Sequence, residues 1–437
     1  MKRGYRMRRK RIDTATAVLL LFAAEGIFLQ YVCSVNSFGM NLYATNMGAS
    51  DSQIGLVQMV PNLVACVALL PLGILGDRLK SSKTVPVFCL LLMSIGYFFF
   101  GSVPAFGKNR MFWFFVFLAM TAGGLAIYNA EWQALFGDIV PLERRNHVYA
   151  FRNRFMFIIG IIIPVICGLL MGRYDKADGK LLVLRIFFYL AGALVLIQAL
   201  VIRFIPGGTH DEKEEKKEEG FSFRDVISAI ASVGKNRMLR LFFLPMLFFY
   251  MTWQLDWSMW YLGEINYCSL SETALSVSGG VYNIGQFLII GTMAELVRKK
   301  SPDYAIISAG VGLCCCPLIM MFVPLLPVPL RPTVFTILVT VLNAPQCAIG
   351  LCTVQILLHA APEKNRSLMV SLFTMMTTLT NSIFPLIGVK IYTALGSDLA
   401  ALYGFNFINL MLRISSTLVL IWRYRVVKRE GFLTKIE

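Results

Sequence analysis

Three carboxylates interrupt stretches of the sequence that are otherwise apolar. Glu25, Glu131 and Asp256 each lie within a run of mostly apolar residues long enough to approach the roughly 20 residues that cross a bilayer. An ionisable group at such a position is costly unless it faces a partner or a water-filled cavity. We therefore predict that Glu25 and Asp256 bind a solute or a proton, and we take Glu131 as a third candidate.

Aromatic side chains accompany these carboxylates. Trp253, Asp256 and Trp257 are spaced i, i+3 and i+4 and so share one helical face, and Trp132 directly follows Glu131. A cation can lie on a Trp ring while a carboxylate acts as its counter-ion. The pattern indicates an acidic and aromatic cavity. Asn36 is included in it because it shares a helical stripe with Glu25. The secondary candidates, equally suited to hydrogen bonds between helices, are Gln30, Asn283 and Gln286.

Several of these residues also have simpler interpretations. Trp257 approaches the predicted outer interface, where aromatic belts occur in many membrane proteins. Glu131 could instead pair with Arg145 as a structural contact. Arg413 lies inside the last apolar run, and the sequence offers no partner for it.

The amino-acid composition predicts that membrane-spanning helices hold these residues. Of 437 residues, 57% are hydrophobic and only 15% are charged, whereas soluble domains have about 25% charged residues. The apolar residues form long runs, which predict an all-α membrane protein with twelve transmembrane helices. The predicted spans are residues 15–42, 53–75, 85–104, 111–137, 154–172, 183–205, 239–262, 273–296, 304–324, 333–358, 367–390 and 400–422.

The net charge of +16 is explained by its placement. With the N-terminus inside, 32 of the 41 Lys and Arg residues fall on the cytoplasmic side and 8 on the other. This is the positive-inside asymmetry. We expect a multi-pass protein of the cytoplasmic (plasma) membrane, with both termini in the cytoplasm and the lipid bilayer as its surroundings. Nucleic-acid binding is not expected, because no basic stripe is interleaved with aromatics in a soluble segment.

The sequence carries an internal repeat with an offset of 221 residues. Pro141 and Arg145 fall on Pro362 and Arg366, and the prolines in the middle of the fifth and eleventh spans also align. Parallel six-helix repeats are a known transporter plan, with the substrate bound between them. We predict an N-terminal six-helix half at 1–206, a cytoplasmic linker at 207–238 and a C-terminal half at 239–437. An amphipathic pattern after residue 222 is consistent with an interfacial helix in the linker.

The loop after the second span resembles the signature of the major facilitator superfamily. It reads Gly73-Ile-Leu-Gly-Asp77-Arg78-Leu-Lys80-Ser-Ser-Lys83, and the second half has a looser echo from Gly291 to Lys300. The resemblance implies the major facilitator fold, in which spans one, four, seven and ten line the central cavity. The fifth span also partly resembles that superfamily's antiporter motif. The residues assigned to a cytoplasmic gate are Gly73, Asp77, Arg78, Lys83, Asp138, Arg145, Glu295, Arg298 and Arg366.

These features favour a secondary active transporter of a small organic solute, working by alternating access. Coupling to protons or another ion is expected, because the sequence contains no nucleotide-binding P-loop. We expect no enzymatic activity, metal or cofactor, and a monomeric protein. The acidic, aromatic stripes favour export of hydrophobic or cationic compounds. The alternatives are a proton- or cation-coupled nutrient importer, or a sensor with a transporter fold that does not transport.

Overall fold

The computed structural model describes residues 14–77, 81–208, 230–361 and 366–433. Before the linker these residues form seven helices, which we call the first bundle. They are α1 (Thr14–Asn46), α2 (Asp51–Asp77), α3 (Thr84–Ser102), α4 (Arg110–Leu118), α5 (Gly124–Ile139), α6 (Leu142–Met171) and α7 (Ala177–Phe204).

After the linker comes a second bundle of helices. They are α8 (Arg237–Gln254), α9 (Trp257–Asn266), α10 (Glu272–Lys299), α11 (Pro302–Phe322), α12 (Arg331–Leu342), α13 (Cys347–Ala360), α14 (Arg366–Ala394) and α15 (Leu399–Arg429). The chain is also helical at residues 230–235. Most of the interfacial helix expected in the linker lies outside the described residues.

Nine helical segments of the described chain are long and apolar enough to cross a membrane, or ten if α12 and α13 form one span with a 43° bend. A helical, multi-pass fold is thus confirmed, and the count of twelve stays a prediction. One of the nine segments runs from Thr84 to Ile139 and folds back on itself. Gly96 packs on Thr121 and Gly124 on Met93, so α3 and the α4–α5 arm run antiparallel. Gly107 allows the reversal with φ of +59°, which glycine adopts without strain.

The predicted seventh span is broken in its middle. Helix α8 ends at Gln254 and α9 starts at Trp257, so that Leu255 and Asp256 form the break. Gly388 of α14 makes room for this break: a Cβ atom added to it would come 1.9 Å from the Leu255 carbonyl oxygen. Helix α14 is therefore able to pack directly against exposed backbone at the break.

The two bundles meet along two helix pairs that obey the predicted repeat. In the pair α2–α14, Gly55 packs against Val389. In the pair α6–α10, Gly168 packs against Ser276. Adding 221 to residue 55 gives 276, and adding it to 168 gives 389, so one pseudo-two-fold operation exchanges the two contacts. A glycine on one side lets the backbones approach closely in both pairs.

Hydrogen bonds join the bundles toward the end of the molecule opposite the linker. Lys180 forms an ion pair with Glu272 at 2.7 Å, and Thr45 lies 2.9 Å from the Tyr261 hydroxyl. Thr273 donates to the Gly168 carbonyl at 2.7 Å. The structure therefore holds the bundles together at that end.

The predicted gate residues make local contacts where the structure describes their side chains. Lys83 donates to the Ile205 carbonyl at the end of α7, and partial burial lowers the pKa of its ammonium group. Glu295 pairs with Lys299 one turn along the same exposed helix at 2.8 Å. Asp138 and Arg298 lie exposed at helix ends. Arg78 lies outside the described residues, as do the side chains of Gly73, Asp77, Arg145 and Arg366. The latch expected between facing bundles stays a prediction.

The close approach at Gly388 gives a direct test of the broken span. Gly388→Ala should lower stability by about 1–3 kcal/mol, because the new methyl group overlaps a backbone atom that cannot turn away. Thermal unfolding of the purified protein in detergent measures this change. Gly291→Ala is the matched control, since a Cβ atom at Gly291 meets nothing within 4 Å. An unchanged melting temperature for Gly388→Ala would contradict the described packing.

Candidate functional site

Glu25 lies at the centre of a buried hydrogen-bond network in the first bundle. Its carboxylate accepts from Arg152 Nε at 2.8 Å and from Arg152 Nη2 at 3.3 Å. It also accepts from the Tyr128 hydroxyl at 2.7 Å and from Gln198 Nε2 at 3.1 Å. A carboxylate has about four acceptor sites, so these four hydrogen bonds occupy all of them. The network joins α1, α5, α6 and α7 through one charge pair.

Neighbouring residues position Arg152 for this pair. Gly26 leaves space for the Arg152 stem, because a Cβ atom at that position would come 2.6 Å from Arg152 Cγ. Trp132 lies beneath the guanidinium, whose central carbon is 4.1 Å from the ring centroid. Trp132 itself stacks on Phe136 at 5.0 Å. The tryptophan predicted as a cavity wall therefore packs inside the bundle as a support for Arg152.

Asp256 has a similar partner in the second bundle. Its Oδ1 accepts from Arg413 Nη2 at 2.6 Å, and both side chains are buried. Asp256 also directly precedes α9 as its N-cap residue, and its carbonyl accepts from the Trp260 backbone N–H at 2.6 Å. The residue that had no partner in the sequence thus pairs with the carboxylate that the sequence singled out.

Arg413 also binds backbone carbonyls that lack a helical partner. It donates to the Trp253 carbonyl at 3.1 Å, which is freed because α8 ends one residue later. It donates to the Leu313 carbonyl at 2.6 Å. Residue 317, which would donate to Leu313 in a regular helix, is a proline and has no N–H. The Arg413 guanidinium therefore donates to three kinds of acceptor: a carbonyl at the helix break, a carbonyl left free by a proline, and a carboxylate.

The same arrangement occurs ten residues further along α15. Arg423 donates to the Leu241 carbonyl at 2.7 Å, which lacks its helical donor because residue 245 is a proline. Arg423 also pairs with Asp303 at 2.6 Å, with both side chains buried. This repetition indicates that Arg413 and Arg423 stabilise the second bundle.

A cavity of about 590 Å³ lies in the second bundle, in front of the break between α8 and α9. Such a volume is in the range of small-molecule sites. Its aromatic lining consists of Tyr250, Trp253, Trp257 and Tyr282, and its carboxamides are Gln254, Gln286, Gln346 and Asn381. Among the described residues, no charged side chain lines it.

Part of this lining is held in place by hydrogen bonds. Gln286 donates to the Tyr282 hydroxyl at 2.7 Å, and that hydroxyl donates to Gln346 Oε1. In contrast, Gln254 Oε1 and Asn381 Oδ1 are buried and accept no hydrogen bond from the described part of the chain. An unpaired buried acceptor is costly. Both residues belong to the cavity lining, and the two oxygens themselves are covered by protein atoms.

Four other predicted site residues do not line the described cavity. Asn36 exchanges hydrogen bonds with the Tyr97 hydroxyl on α3 at 2.8 and 3.0 Å, and Gln30 donates to Ser34 at 3.3 Å. Asn283 is exposed on α10, and Glu131 is half-buried on α5. Trp253, Trp257 and Gln286 do lie together on the cavity wall.

The expectation of an acidic cavity lined by spans one, four, seven and ten stays a prediction. Neither Glu25 nor Asp256 lines the described cavity, because each is buried against an arginine within its own bundle. Arg152 was missed because the charged stretch before residue 154 reads as a loop, although α6 begins at Leu142. Gln254, Gln346 and Asn381 were also missed. Gln254 follows Trp253 directly, and Gln346 follows a proline that interrupts the span, so both had a local signal.

Comparison with known proteins agrees with this architecture. The family model described as Major Facilitator Superfamily matches residues 20–385. The chain belongs to this superfamily. It is a multi-pass membrane transporter by family and fold. A comparison with curated protein sequences finds no match.

Solved structures show the same fold at low sequence identity. The nucleoside transporter NupG has a TM-score of 0.68 and 12% identity, covering 93% of this chain and 99% of that chain. A POT family transporter in complex with 5-aminolevulinic acid has a TM-score of 0.70 and 12% identity, covering 93% and 96%. A bacterial homologue of the human lysosomal transporter Spinster, inward-facing and unoccupied, has a TM-score of 0.61 and 15% identity, covering 95% and 96%.

The Asp256–Arg413 pair predicts a definite order of stabilities. Arg413→Met should cost about 3–5 kcal/mol, because it leaves a buried carboxylate and two carbonyls without a donor. Asp256→Asn should cost less, since Arg413 keeps its carbonyl partners. The double variant should be no worse than Arg413→Met alone, because the unpaired carboxylate is then gone.

Thermal unfolding in detergent measures this cycle. Glu295→Gln with Lys299→Gln is the control, since that pair is exposed and should contribute at most about 0.5 kcal/mol. Additive losses in the double variant would show that Asp256 and Arg413 do not interact as described.

Proposed function

We propose that this transporter takes up an uncharged, polar, ring-bearing solute in symport with protons, a nucleoside being the type example. The solute binds in the cavity in front of the α8–α9 break. The observation that carries the proposal is the cavity lining, which combines aromatic rings and carboxamides without a charge among the described residues. Rings stack on aromatic faces, and carboxamides offer both donors and acceptors to polar edges.

The cavity chemistry argues against substrates that carry a full charge. A zwitterionic or cationic solute leaves its charge unpaired where the described walls hold no counter-ion, and an unpaired charge in a low-dielectric site is costly. The four carboxamides suit the polar, uncharged groups of a nutrient such as a nucleoside. They favour uptake over the export of hydrophobic cations.

The structural neighbours are compatible with this solute class without deciding it. NupG is a nucleoside transporter, and a POT family member binds 5-aminolevulinic acid. Both are too distant in sequence to transfer a substrate. The proposal for this chain depends on its own cavity.

Glu25 is the proposed coupling residue. Its carboxylate is the acceptor that joins four helices of the first bundle, so a proton on it removes an acceptor and loosens Arg152, Tyr128 or Gln198. Asp256, the second carboxylate expected to carry protons, is no longer part of the proposal. Its partner Arg413 also completes the backbone around the break, which is a structural role.

Export of an aromatic cation is the second candidate, and one observation favours it. Tyr250, Trp253 and Trp257 form a continuous aromatic wall, with ring centroids 5.4 Å and 5.8 Å apart. A cation can bind to such a wall through its π faces alone, most strongly when it is desolvated.

Uptake into proteoliposomes tests the substrate class. Radiolabelled uridine should accumulate when the lumen is alkaline, and tetraphenylphosphonium should not compete with it. Gln254→Leu and Gln286→Leu should each lower uridine uptake about tenfold, because each loses one hydrogen bond to the solute.

Gln355→Leu is the matched control, since this carboxamide lies on α13 of the same bundle and away from the cavity lining. Uridine uptake that is equal in Gln254→Leu, Gln286→Leu and the control would remove the proposed binding site. Proton-driven transport of tetraphenylphosphonium instead of uridine would select the second candidate.

Glu25→Gln tests the coupling separately from binding. The variant should lose proton-driven accumulation, because an amide cannot exchange a proton, while it keeps solute counterflow between equal internal and external pools. Asp175→Asn, at an exposed carboxylate in the loop between α6 and α7, should retain both activities. Uphill accumulation by Glu25→Gln at the wild-type rate would overturn the coupling role. If Glu25→Gln loses both counterflow and accumulation, Glu25 is instead required for the folding of the bundle.

A further inference from the structure

A second cavity, of about 530 Å³, lies on the outer surface of the second bundle between α8 and α15. It is independent of the solute cavity, since the two share no lining residue. It lies where α8 begins and α15 ends, at the linker end of the molecule. We call it the α8–α15 groove.

The polarity of the groove changes along its length. The groove rim at the linker end carries Arg237, Arg240 and Arg429. Further from that end, along the same two helices, the groove is lined by Leu244 and Trp422. Trp422 is seven residues before Arg429, about 10 Å along the helix. Leu244 is 60% exposed and Trp422 is 54% exposed. The groove thus presents a cationic end and an apolar, partly aromatic trough, in the order in which a phospholipid presents its headgroup and chains.

Within the described residues, the charge at the rim is only partly balanced. Arg237 pairs with Glu430, which neutralises one of the three arginines. Within the described part of the chain, Arg240 and Arg429 form no ion pair, and both are exposed. The groove therefore holds, on neighbouring helices, two guanidinium groups with no carboxylate partner among the described residues, each with several donors arranged to bind phosphate oxygens.

We propose that the α8–α15 groove binds one anionic phospholipid from the leaflet on the linker side. Its phosphate lies between Arg240 and Arg429, and an acyl chain covers Leu244 and Trp422. Basic pockets between transmembrane helices are suited to anionic headgroups. The apolar trough favours a lipid over a soluble phosphate, because only the lipid covers the exposed leucine and tryptophan.

Binding is measured on the purified full chain in detergent, as the rise in melting temperature during titration with phosphatidylglycerol. Phosphatidylcholine and glycerol phosphate are titrated in parallel. Phosphatidylglycerol should stabilise the protein at far lower concentration than either. Equal stabilisation by phosphatidylcholine would show that binding does not depend on the charge of the headgroup. Equal stabilisation by glycerol phosphate would show an anion site rather than a lipid site. Either result overturns the proposal.

Variants locate the binding site. Arg240→Gln with Arg429→Gln should weaken the apparent affinity for phosphatidylglycerol by roughly thirtyfold, given the usual contribution of each basic residue near anionic lipid. The double variant to lysine should retain most of it. Lys235→Gln with Arg425→Gln removes the same charge from the same end outside the groove lining and should change little. An equal loss in that control would show a diffuse attraction of the whole basic surface and refute the site.

A gain of affinity provides a test that cannot arise from misfolding. Glu430→Gln removes the partner of Arg237 and leaves three free arginines at the rim. Phosphatidylglycerol should then bind more tightly than to the unchanged protein, while phosphatidylcholine should bind as before. Weaker or unchanged binding of phosphatidylglycerol in Glu430→Gln would contradict the proposed position of the headgroup.

Discussion

Inside a bilayer, a charge or a free backbone carbonyl has no water to bind and must find its partner within the protein. This constraint explains the partners of the two buried arginines of α15. Arg413 and Arg423 each complete a carbonyl left free by a proline in a neighbouring helix, and each pairs with a buried aspartate. The prolines bend or interrupt the helices, and α15 supplies the donors that make those interruptions tolerable. The broken span in turn places Trp253 and Trp257 on the cavity wall.

The interface between the bundles follows from a second constraint, the need for close backbone approach in an apolar medium. Van der Waals packing drives helix association there, so small residues mark the contact. Gly55 and Gly168 occupy these positions, and the repeat offset of 221 exchanges their two contacts. The two interfaces are thus equivalent under the repeat offset. An interface built from two equivalent seams can rock about the axis between them, which is the motion that alternating access requires.

The sequence predicted the helical class, the family and the repeat, because hydropathy, charge placement and short motifs are local signals. It also singled out Glu25, Asp256, Trp253, Trp257 and Gln286. It could not supply their partners. Arg152 is 127 residues from Glu25, and Arg413 is 157 residues from Asp256, and no periodicity connects positions so far apart. The sequence therefore presents each of these carboxylates as a free charge, although the structure pairs both with arginines.

Under the proposed function, two tasks that the sequence had combined in one cavity are performed in separate places. The buried carboxylates of Glu25, Asp256 and Asp303 lie within the bundles, where each is paired with an arginine, and the described walls of the cavity are uncharged. Under the proposed function, this separation prevents the coupling charge from binding the solute directly. A proton on Glu25 would act through the bundle instead. Because Glu25 already accepts four hydrogen bonds, protonation must break at least one of them. The helices that provide those donors, α5, α6 and α7, are then free to shift, and α6 is a helix of the interface with the second bundle. Protonation and solute binding would therefore communicate through the movement of helices rather than through a shared contact.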